Sequence, residues 1–383
     1  MISLRVLITN LTLAHRTGTE LYVRDLALGL LRRGHRPIVF SPELGSVSDE
    51  LLRHTVPVVD HLEQISIEPD VIHGHHTLET ITAMLRFPRA PAIFVCHDWS
   101  AGHDTPPRLP QVRRYVAVDE TCKDRLLGRH GTPLDRTLML HNAVDLNRFQ
   151  PRGPLPDRPR HALVLSNYAS QRELAIIKSA CASRGIRVDA VGTQFGNQSA
   201  SPEDLLPQYD LVFAKGRCAL EALACGAAVV VCDVNGCGPL VTSAELDRLR
   251  AMNLGRRLLQ RPTRRDVILH ELDRYDPRDA ELVTQRIRAI AGLDRLLDQL
   301  LAVYHDAIVE GPCTDLEATL RAAADEFQHW TSQRINNRAI PRQEVPTPRL
   351  PWMPRMYRSY RKRLTSMREF VDRLTGQHSQ RAA

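Results

Sequence analysis

Short apolar segments of strand length alternate with segments of helical periodicity through the first 240 residues, and this alternation constrains the fold more than any other feature. Strands separated by helices are typical of βαβ units, which form parallel sheets with helices on both faces. The predicted strands cover residues 4–10, 36–41, 56–62, 70–76, 92–98, 113–119, 137–145, 162–168, 186–192, 210–216 and 227–233. We therefore predict an α/β protein with two Rossmann-like domains.

The boundary between the two domains is predicted within residues 151–161, where four prolines in PRGPLPDRPRH interrupt all periodicity. A chain of 383 residues is also longer than the usual single domain. We expect an N-terminal domain over 1–152, a second domain over 160–312 that lacks one βα unit, and a helical, basic extension over 313–383.

Beyond residue 243 the pattern becomes helical. Apolar residues recur at helical spacing over 282–304, which predicts one long amphipathic helix, and a further helix is expected over 315–330. In the tail, a second apolar stripe surrounded by arginines predicts a basic amphipathic helix over 355–374. Such a helix suits an anionic membrane surface. The alternatives are packing against the body of the protein, disorder, or contact with a partner.

The net charge of +7 resides in the tail. Residues 331–383 contain twelve Lys and Arg against three Asp and Glu, so the remaining 330 residues carry about −2. This distribution argues against nucleic-acid binding by the folded domains. The N-terminus reads as a strand instead of a signal peptide, and the eight cysteines form no CxxC pairs, so we expect a cytoplasmic protein with reduced thiols.

Four motifs in the first half occur in a defined order. A small-residue loop, Thr17-Gly18-Thr19-Glu20, precedes LYVRDLALGLLRRGH; DVIHGH follows at 70–75, VCHD at 95–98, and NAVD at 142–145. With these motifs the chain resembles glycosyltransferase family 4 and its relatives, retaining enzymes of the GT-B fold, over about residues 4–240. The resemblance implies transfer of a sugar from a nucleoside-diphosphate donor to a hydroxyl acceptor, such as a glycan, a lipid-linked molecule or a small molecule.

In the second half, GRCALEALACGAAVVVCD at 216–233 is similar to the family's donor-binding segment. The resemblance implies that Glu221 holds the ribose hydroxyls of the donor. Amides at the start of that helix, including Gly216, would favour the diphosphate. The glycine-rich turn with Gly236 and Gly238 follows a strand at the sheet edge where such folds bind ligands.

The chain departs from the family at the donor site. The first glutamate of the family's E-x7-E pair falls on Phe213, and the Arg and Lys expected after the first strand of the second domain are missing from 166–173. Lys215 and Arg217 lie on the segment leading into the Glu221 helix. We predict that these two cations supply the missing diphosphate contacts.

For catalysis, His97 is the strongest candidate, because an imidazole at a strand end could stabilise charge as the glycosidic bond breaks. The alternative is a hydrogen-bonded core histidine. Asp98 either orients the acceptor or caps a turn. His75 and the backbone of Gly18 and Thr19 are candidates for contact with the acceptor or a phosphate. The alternatives are strand-end packing for His75 and a tight turn at Gly18 and Thr19. We expect no cofactor and no required metal, because helix amides and cations would neutralise the leaving diphosphate. His73, His75 and His76 could form a metal cluster, but neighbouring strand residues point to opposite faces and a metal site needs converging ligands.

Two further functions are compatible with the sequence. Loss of the glutamate at Phe213 and the shortened second domain favour a catalytically reduced GT-B scaffold that binds a nucleotide sugar, glycan or protein partner. An isomerase resembling UDP-sugar 2-epimerases would need acid/base carboxylates in the cleft, and the sequence offers no convincing pair.

Overall fold

Two β-sheets organise the chain in a computed structural model that describes residues 3–339. The first sheet has seven parallel strands in the order β3-β2-β1-β4-β5-β6-β7. These strands are β1 (Arg5–Thr9), β2 (Arg36–Phe40), β3 (Val58–Val59), β4 (Val71–His75), β5 (Ala92–Cys96), β6 (Val112–Ala117) and β7 (Thr137–Met139). The chain order reverses between β1 and β4, which makes this pair the topological switch point of the sheet.

Helices cover both faces of this sheet, so its central strands are buried on both sides. Every residue of β4 and β5 is buried, as expected for parallel strands covered on both faces, although β4 includes His73 and His75. The helices that follow the strands are α1 (Gly18–Arg32), α2 (Ser46–Arg53), α3 (Thr77–Arg86) and α4 (Glu120–Asp124), the last continued by a π-helical turn at Arg125–Arg129.

The second sheet has five strands in the order β12-β11-β10-β8-β9. Its strands are β8 (His161–Leu165), β9 (Arg187–Val191), β10 (Leu211–Ala214), β11 (Ala228–Asp233) and β12 (Gly236–Leu240). Its helices are α5 (Gln171–Ala182), α6 (Pro202–Leu205), α7 (Gly216–Ala224), α8 (Leu246–Ala251), α9 (Arg265–Leu272) and α10 (Pro277–Ile290). All pairs are parallel except β11 with β12. The predicted α/β fold, with a smaller second sheet, is confirmed.

The predicted long helix over 282–304 is wrong, because α10 ends at Ile290 and α11 (Leu293–Val309) begins after Gly292. The Val144 N–H donates to the Ala291 carbonyl (2.9 Å) and the Leu293 N–H donates to the Val144 carbonyl (2.9 Å). These bonds to the connecting segment between the sheets replace helical bonds at the break. Helix α11 then packs against α1 and the first sheet, although the prediction placed this segment in the second domain.

Two predicted elements are shorter or different in the structure. The strand expected over 56–62 is reduced to β3, an edge strand of two residues. Of the glycine-rich turn expected at 235–238, Asn235 lies in the turn after β11, whereas residues from Gly236 onward form β12, which pairs antiparallel with β11. Single turns of 3-10 helix occur at Leu62–Gln64, Gly102–Asp104, Leu134–Arg136, Thr193–Phe195, Leu206–Gln208 and Arg256–Leu258.

The chain forms two units by its contacts, Met1–Glu326, which contains both sheets, and Phe327–Ala383. Helix α12 (Leu316–Ala339) is the last element that the structure describes. The predicted basic amphipathic helix over 355–374 lies outside the described residues. Within residues 3–339, no helix combines the length and the apolar character that crossing a membrane requires.

Candidate active site

Several of the predicted site residues follow strands that border the switch points of the two sheets, whereas His97 and Asp98 follow the neighbouring β5 and Gly236 and Gly238 lie in the edge strand β12. In the first sheet the bordering strands are β1 and β4, followed by the loop with Gly18 and by His76. In the second sheet they are β8 and β10, followed by Ser166 and Lys215. Ligands of doubly wound sheets bind in this crevice.

Glu20 shapes the loop between β1 and α1. Its carboxylate is fully buried and accepts hydrogen bonds from the backbone amides of His15 (2.8 Å) and Thr17 (2.7 Å). Gly18 is exposed, and a side chain added there would meet open space. The start of α1, with Gly18 and Thr19, therefore faces outward at the switch point, as acceptor or phosphate contact requires.

Three histidines form a contiguous cluster that ends at His97. The His73 ring nitrogen Nδ1 lies 2.5 Å from the Tyr304 hydroxyl on α11. The His73 and His75 rings are 4.6 Å apart, and His75 Nδ1 lies 2.8 Å from His97 Nε2. The Tyr22 ring packs edge-on against His97, with centroids 4.9 Å apart. His97 is the partly exposed member of the cluster, and His75 is fully buried.

Burial keeps these imidazoles uncharged near neutral pH. It lowers the pKa of His73 to about 3 and that of His97 to about 4, and it brings the pKa of His75 well below its usual range. A neutral His97 can exchange hydrogen bonds with a sugar. His75, at 0% exposure, contacts His97 and not solvent, so the expected acceptor contact of His75 would have to pass through His97.

Asp104 fixes the backbone of the segment after β5, a role that the sequence analysis missed. Its carboxylate is buried and accepts from the amides of His97 and Asp98, both at 2.6 Å. Burial raises the pKa of Asp104 to about 7. The exposed Asp98 accepts from the amides of Ser100 (2.6 Å) and Ala101 (2.7 Å). In this structure Asp98 therefore caps a turn, the alternative left open by the sequence.

On the second sheet, a buried aspartate anchors Lys215. Asp233, at the end of β11, forms an ion pair with the Lys215 ammonium at 2.7 Å and accepts from the Ser166 hydroxyl at 2.8 Å. The Lys215 ammonium also lies 5.2 Å from the centroid of the Tyr168 ring. An ammonium has three N–H donors, so Lys215 retains donors for a further ligand.

Tyr168 marks where the two domains face each other. Burial raises the pKa of its phenol, and the carboxylates of Asp233 and, from the first domain, Glu20 add to the shift. Asp98 acts in the same direction. The charges of Glu20 and Asp98, both carried by the first domain, therefore act on a side chain of the second domain.

Glu221 lies inside a buried charge cluster that joins both domains. The cluster, which we call the interdomain cluster, consists of Arg16, Arg24, Asp25, Glu50, Arg148, Glu203, Arg217 and Glu221. Arg217 Nε donates to Glu221 at 2.6 Å, and Arg217 Nη2 donates to Asp25 on α1. Glu221 is 3% exposed. The expected open position beside a nucleotide is thus filled by Arg217 in this structure.

The pKa shifts within the interdomain cluster are unequal. Burial, its largest influence, raises the pKa of Glu221 although Arg217 opposes the shift. Burial also disfavours ionised Asp25, but the guanidiniums of Arg217 and Arg24 outweigh it and lower the Asp25 pKa. Of these two carboxylates, Glu221 consequently relies on Arg217 to stay ionised, whereas Asp25 also has Arg24.

The predicted donor-site glycines have structural contacts here. The Gly216 amide donates to the Leu254 carbonyl at 2.7 Å. A Cβ at Gly236 would lie 2.5 Å from the Arg261 carbonyl oxygen, and one at Gly238 would lie 2.8 Å from that of Leu258. Close packing of β12 against residues 258–261 accounts for the last two glycines, and their contact with a donor stays a prediction.

No three His, Cys, Asp or Glu side chains converge on a possible metal position anywhere in residues 3–339. Phe213, which stands where the family has its first glutamate, is buried in β10 within an apolar cluster, with 1% exposure. The structure thus offers no carboxylate at that position to hold a donor sugar.

Comparison with known proteins agrees with this architecture. Residues 16–148 match the model of Glycosyltransferase Family 4, whereas no curated protein sequence matches the chain. A glycosyltransferase from Rickettsia africae aligns with a TM-score of 0.56 at 14% identity, covering 80% of this chain and 99% of that one. Anabaena Alr3699/HepE in complex with UDP and glucose aligns with a TM-score of 0.57 at 15% identity, covering 79% and 100%. Residues 16–148 are therefore similar to Glycosyltransferase Family 4, and the chain as a whole has the GT-B fold.

Proposed function

We propose that the protein is a retaining glycosyltransferase that moves a sugar from a nucleoside-diphosphate donor to a hydroxyl acceptor. The observation that carries the proposal is the position of His97, a neutral imidazole at the carboxyl end of β5. Its neighbour Asp98 acts on the phenol of Tyr168, whose ring lies beside the Lys215 ammonium. The family 4 match over 16–148 and the HepE complex with UDP-glucose support it.

His97 acts on the donor sugar in this proposal. Its Nε2 contacts His75 and its Nδ1 is directed to the sugar, where a hydrogen bond stabilises the charge that develops as the anomeric bond breaks. The hydroxyl acceptor binds on the first domain, near the exposed start of α1 at Gly18. No metal or other cofactor is required.

Lys215 binds the diphosphate, since the ion pair with Asp233 positions its ammonium and an ammonium carries three N–H donors. The nucleotide ribose binds Glu221 by exchanging with Arg217. This exchange replaces one guanidinium contact with two hydroxyl donors and lets Arg217 turn to the diphosphate. Donor binding therefore requires the interdomain cluster to open.

A donor-hydrolysis assay with UDP-, GDP- and dTDP-sugars tests the proposal. We expect slow hydrolysis of one donor, reduced about 100-fold or more by His97→Ala. His270→Ala serves as the matched control, because His270 is exposed on α9 with 67% of its side chain accessible. Equal loss in both variants, or none in His97→Ala, would contradict the catalytic role of His97.

A catalytically reduced binding protein is the second candidate. Phe213 in place of a donor-site glutamate and the closed cluster around Glu221 favour it specifically. Calorimetric binding of a nucleotide sugar, with neither hydrolysis nor transfer, would establish this function and exclude the first. Failure of every donor to bind would exclude the transferase and would leave, of the second candidate, only binding of a glycan or a protein partner.

A further inference from the structure

A cavity of about 320 Å³ lies where the chain passes between the two domains. It is bordered by the segment after β7, by α8, and by the junction of α10 and α11. Its volume is at the lower end of the range of about 300–1,000 Å³ for small-molecule sites. It shares no lining residue with the candidate active site, so its role is independent of the proposed transferase activity.

Arg250 lines this cavity as a buried cation without a counter-charge. Its side chain is 7% exposed. Its guanidinium donates to the Asn253 side-chain oxygen (2.8 Å) and to the Asn142 carbonyl, both neutral acceptors. No carboxylate of the described residues forms an ion pair with it, and burial lowers its pKa to about 10. A charge removed from water without a partner is costly, so an anion in the cavity would stabilise it.

The other polar groups that line the cavity require further partners. Arg295 on α11 is exposed and forms no ion pair with the described residues, so it supplies a second cation. Burial lowers the pKa of His141 to about 4, and its Nε2 is buried without a hydrogen-bond partner. A hydrogen bond to the Ala251 backbone uses the other ring nitrogen. Nε2 is then a neutral acceptor, which a hydroxyl would satisfy.

The rim of the cavity combines one carboxylate with apolar side chains. Asp247 pairs with Arg286 at 2.7 Å and is otherwise exposed. Its carboxylate would accept hydrogen bonds from hydroxyl groups of a ligand and would repel a phosphate group. Leu140 and Ile290 provide apolar surface for C–H groups. The lining as a whole thus combines two cations, two hydroxyl acceptors and apolar walls.

We propose that this cavity is a binding site for a phosphorylated polyol of the sugar-phosphate class. The phosphate binds Arg250 and Arg295, hydroxyls donate to His141 and Asp247, and the carbon skeleton packs on the apolar walls. Because the segment after β7 and the junction of α10 and α11 border the cavity, an occupant would also contact both connections between the domains.

Calorimetric titration of the full chain with glucose 6-phosphate tests this site. We expect a Kd of about 1 mM or tighter, with weaker binding of inorganic phosphate and none of glucose. Arg250→Met and Arg295→Met should each weaken glucose 6-phosphate binding at least tenfold. Arg295 is exposed, so its variant tests the site even if Arg250→Met fails to fold.

Arg278→Met is the matched control. It removes one exposed arginine from the first turn of α10, about 18 Å along the helix from Ile290, and should leave the affinity unchanged. Absence of binding, or equal affinity in wild type and Arg295→Met, would overturn the site. Equal affinity for inorganic phosphate and glucose 6-phosphate would overturn the hydroxyl contacts and hence the sugar-phosphate assignment.

Discussion

Arg217→Met is expected to be strongly destabilising, whereas Glu221→Gln is expected to be mild. Arg217 is 12% exposed in its side chain and bridges Glu221 of the second domain to Asp25 of the first. Removing one partner of a buried ion pair costs about 3–5 kcal/mol. Asp25 keeps Arg24 at 2.6 Å, so the unpaired charge is mainly that of Glu221. We therefore expect Arg217→Met to lower the free energy of unfolding by about 3 kcal/mol.

Glu221→Gln retains an oxygen that accepts from Arg217, and Arg217 retains Asp25. Glu221→Gln should lower the free energy of unfolding by about 1 kcal/mol, the contribution of one weakened hydrogen bond. In the double variant no unpaired buried charge remains at this position. We expect the double variant to cost less than the sum of the single variants by about 1–2 kcal/mol, which is the coupling that a double-mutant cycle measures.

Urea unfolding followed by circular dichroism measures these differences. Arg217→Met should also become more stable relative to wild type as pH falls, because an unpaired Glu221 has its pKa raised further and binds a proton on folding. Arg257→Met is the control. Arg257 forms the exposed interdomain pair with Asp124 (2.8 Å, side chains 47% and 62% exposed), so its loss should cost less than about 1 kcal/mol.

Similar costs for Arg217→Met and Arg257→Met would refute the reasoning. The two domains would then be held by contacts other than the interdomain cluster, and Glu221 would be free to meet a nucleotide without displacing Arg217. Additive single variants would lead to the same conclusion, since additivity means that Arg217 and Glu221 do not interact.

Three other predictions concern His73, Gly74 and His75 of β4. Burial lowers the pKa of His73 to about 3, so its contribution to stability is complete above the unfolded pKa of about 6.5 and is lost as pH falls. At pH 5.5 the unprotonated His73 should lower the free energy of unfolding, measured with urea, by about 1.4 kcal/mol. In His73→Phe the free energy of unfolding should depend less steeply on pH. Gly74→Ala would place a Cβ 2.4 Å from Thr80 Cγ2. This overlap should lower the stability measured by thermal unfolding by about 1–3 kcal/mol, and adding Thr80→Ala to the same chain should restore part of that stability. His75→Phe removes the 2.8 Å contact to His97, so kcat for donor hydrolysis should fall while KM for the donor is unchanged; an unchanged kcat would refute a positioning role for His75.

The sequence was sufficient to predict the fold class because that prediction rests on local signals. Alternating strand and helix patterns, together with four ordered motifs, anticipated both sheets and the α/β architecture. The break at Gly292 was not predictable in the same way. Apolar periodicity continues on both sides of it, and the bonds that end α10 come from Val144, distant in sequence. Local pattern cannot reveal a helix end that a tertiary contact creates.

The interdomain cluster shows why the candidate site was only partly predictable. Its bond between Asp25 and Arg217 joins residues 192 positions apart, and no spacing rule connects them. Asp104, which holds the backbone of His97, lacks a motif of its own and acts through chain reversal after β5. Glu221 could be located by resemblance, but its pairing with Arg217 depends on which groups the first domain presents to it.

Helix α1 nevertheless carried a signal that a second surface covers it. The apolar periodicity predicted one buried stripe, yet the structure buries most of the helix, including Arg24 (2%) and Asp25 (6%). Charged residues are rarely buried unless they are paired. Once a second domain is predicted, an adjacent Arg and Asp on the polar side of a helix therefore indicate a surface that the second domain covers. Complementary charges on that domain would stabilise both side chains. The same reasoning places Arg217 and Glu221, one helical turn apart on α7, on the complementary surface.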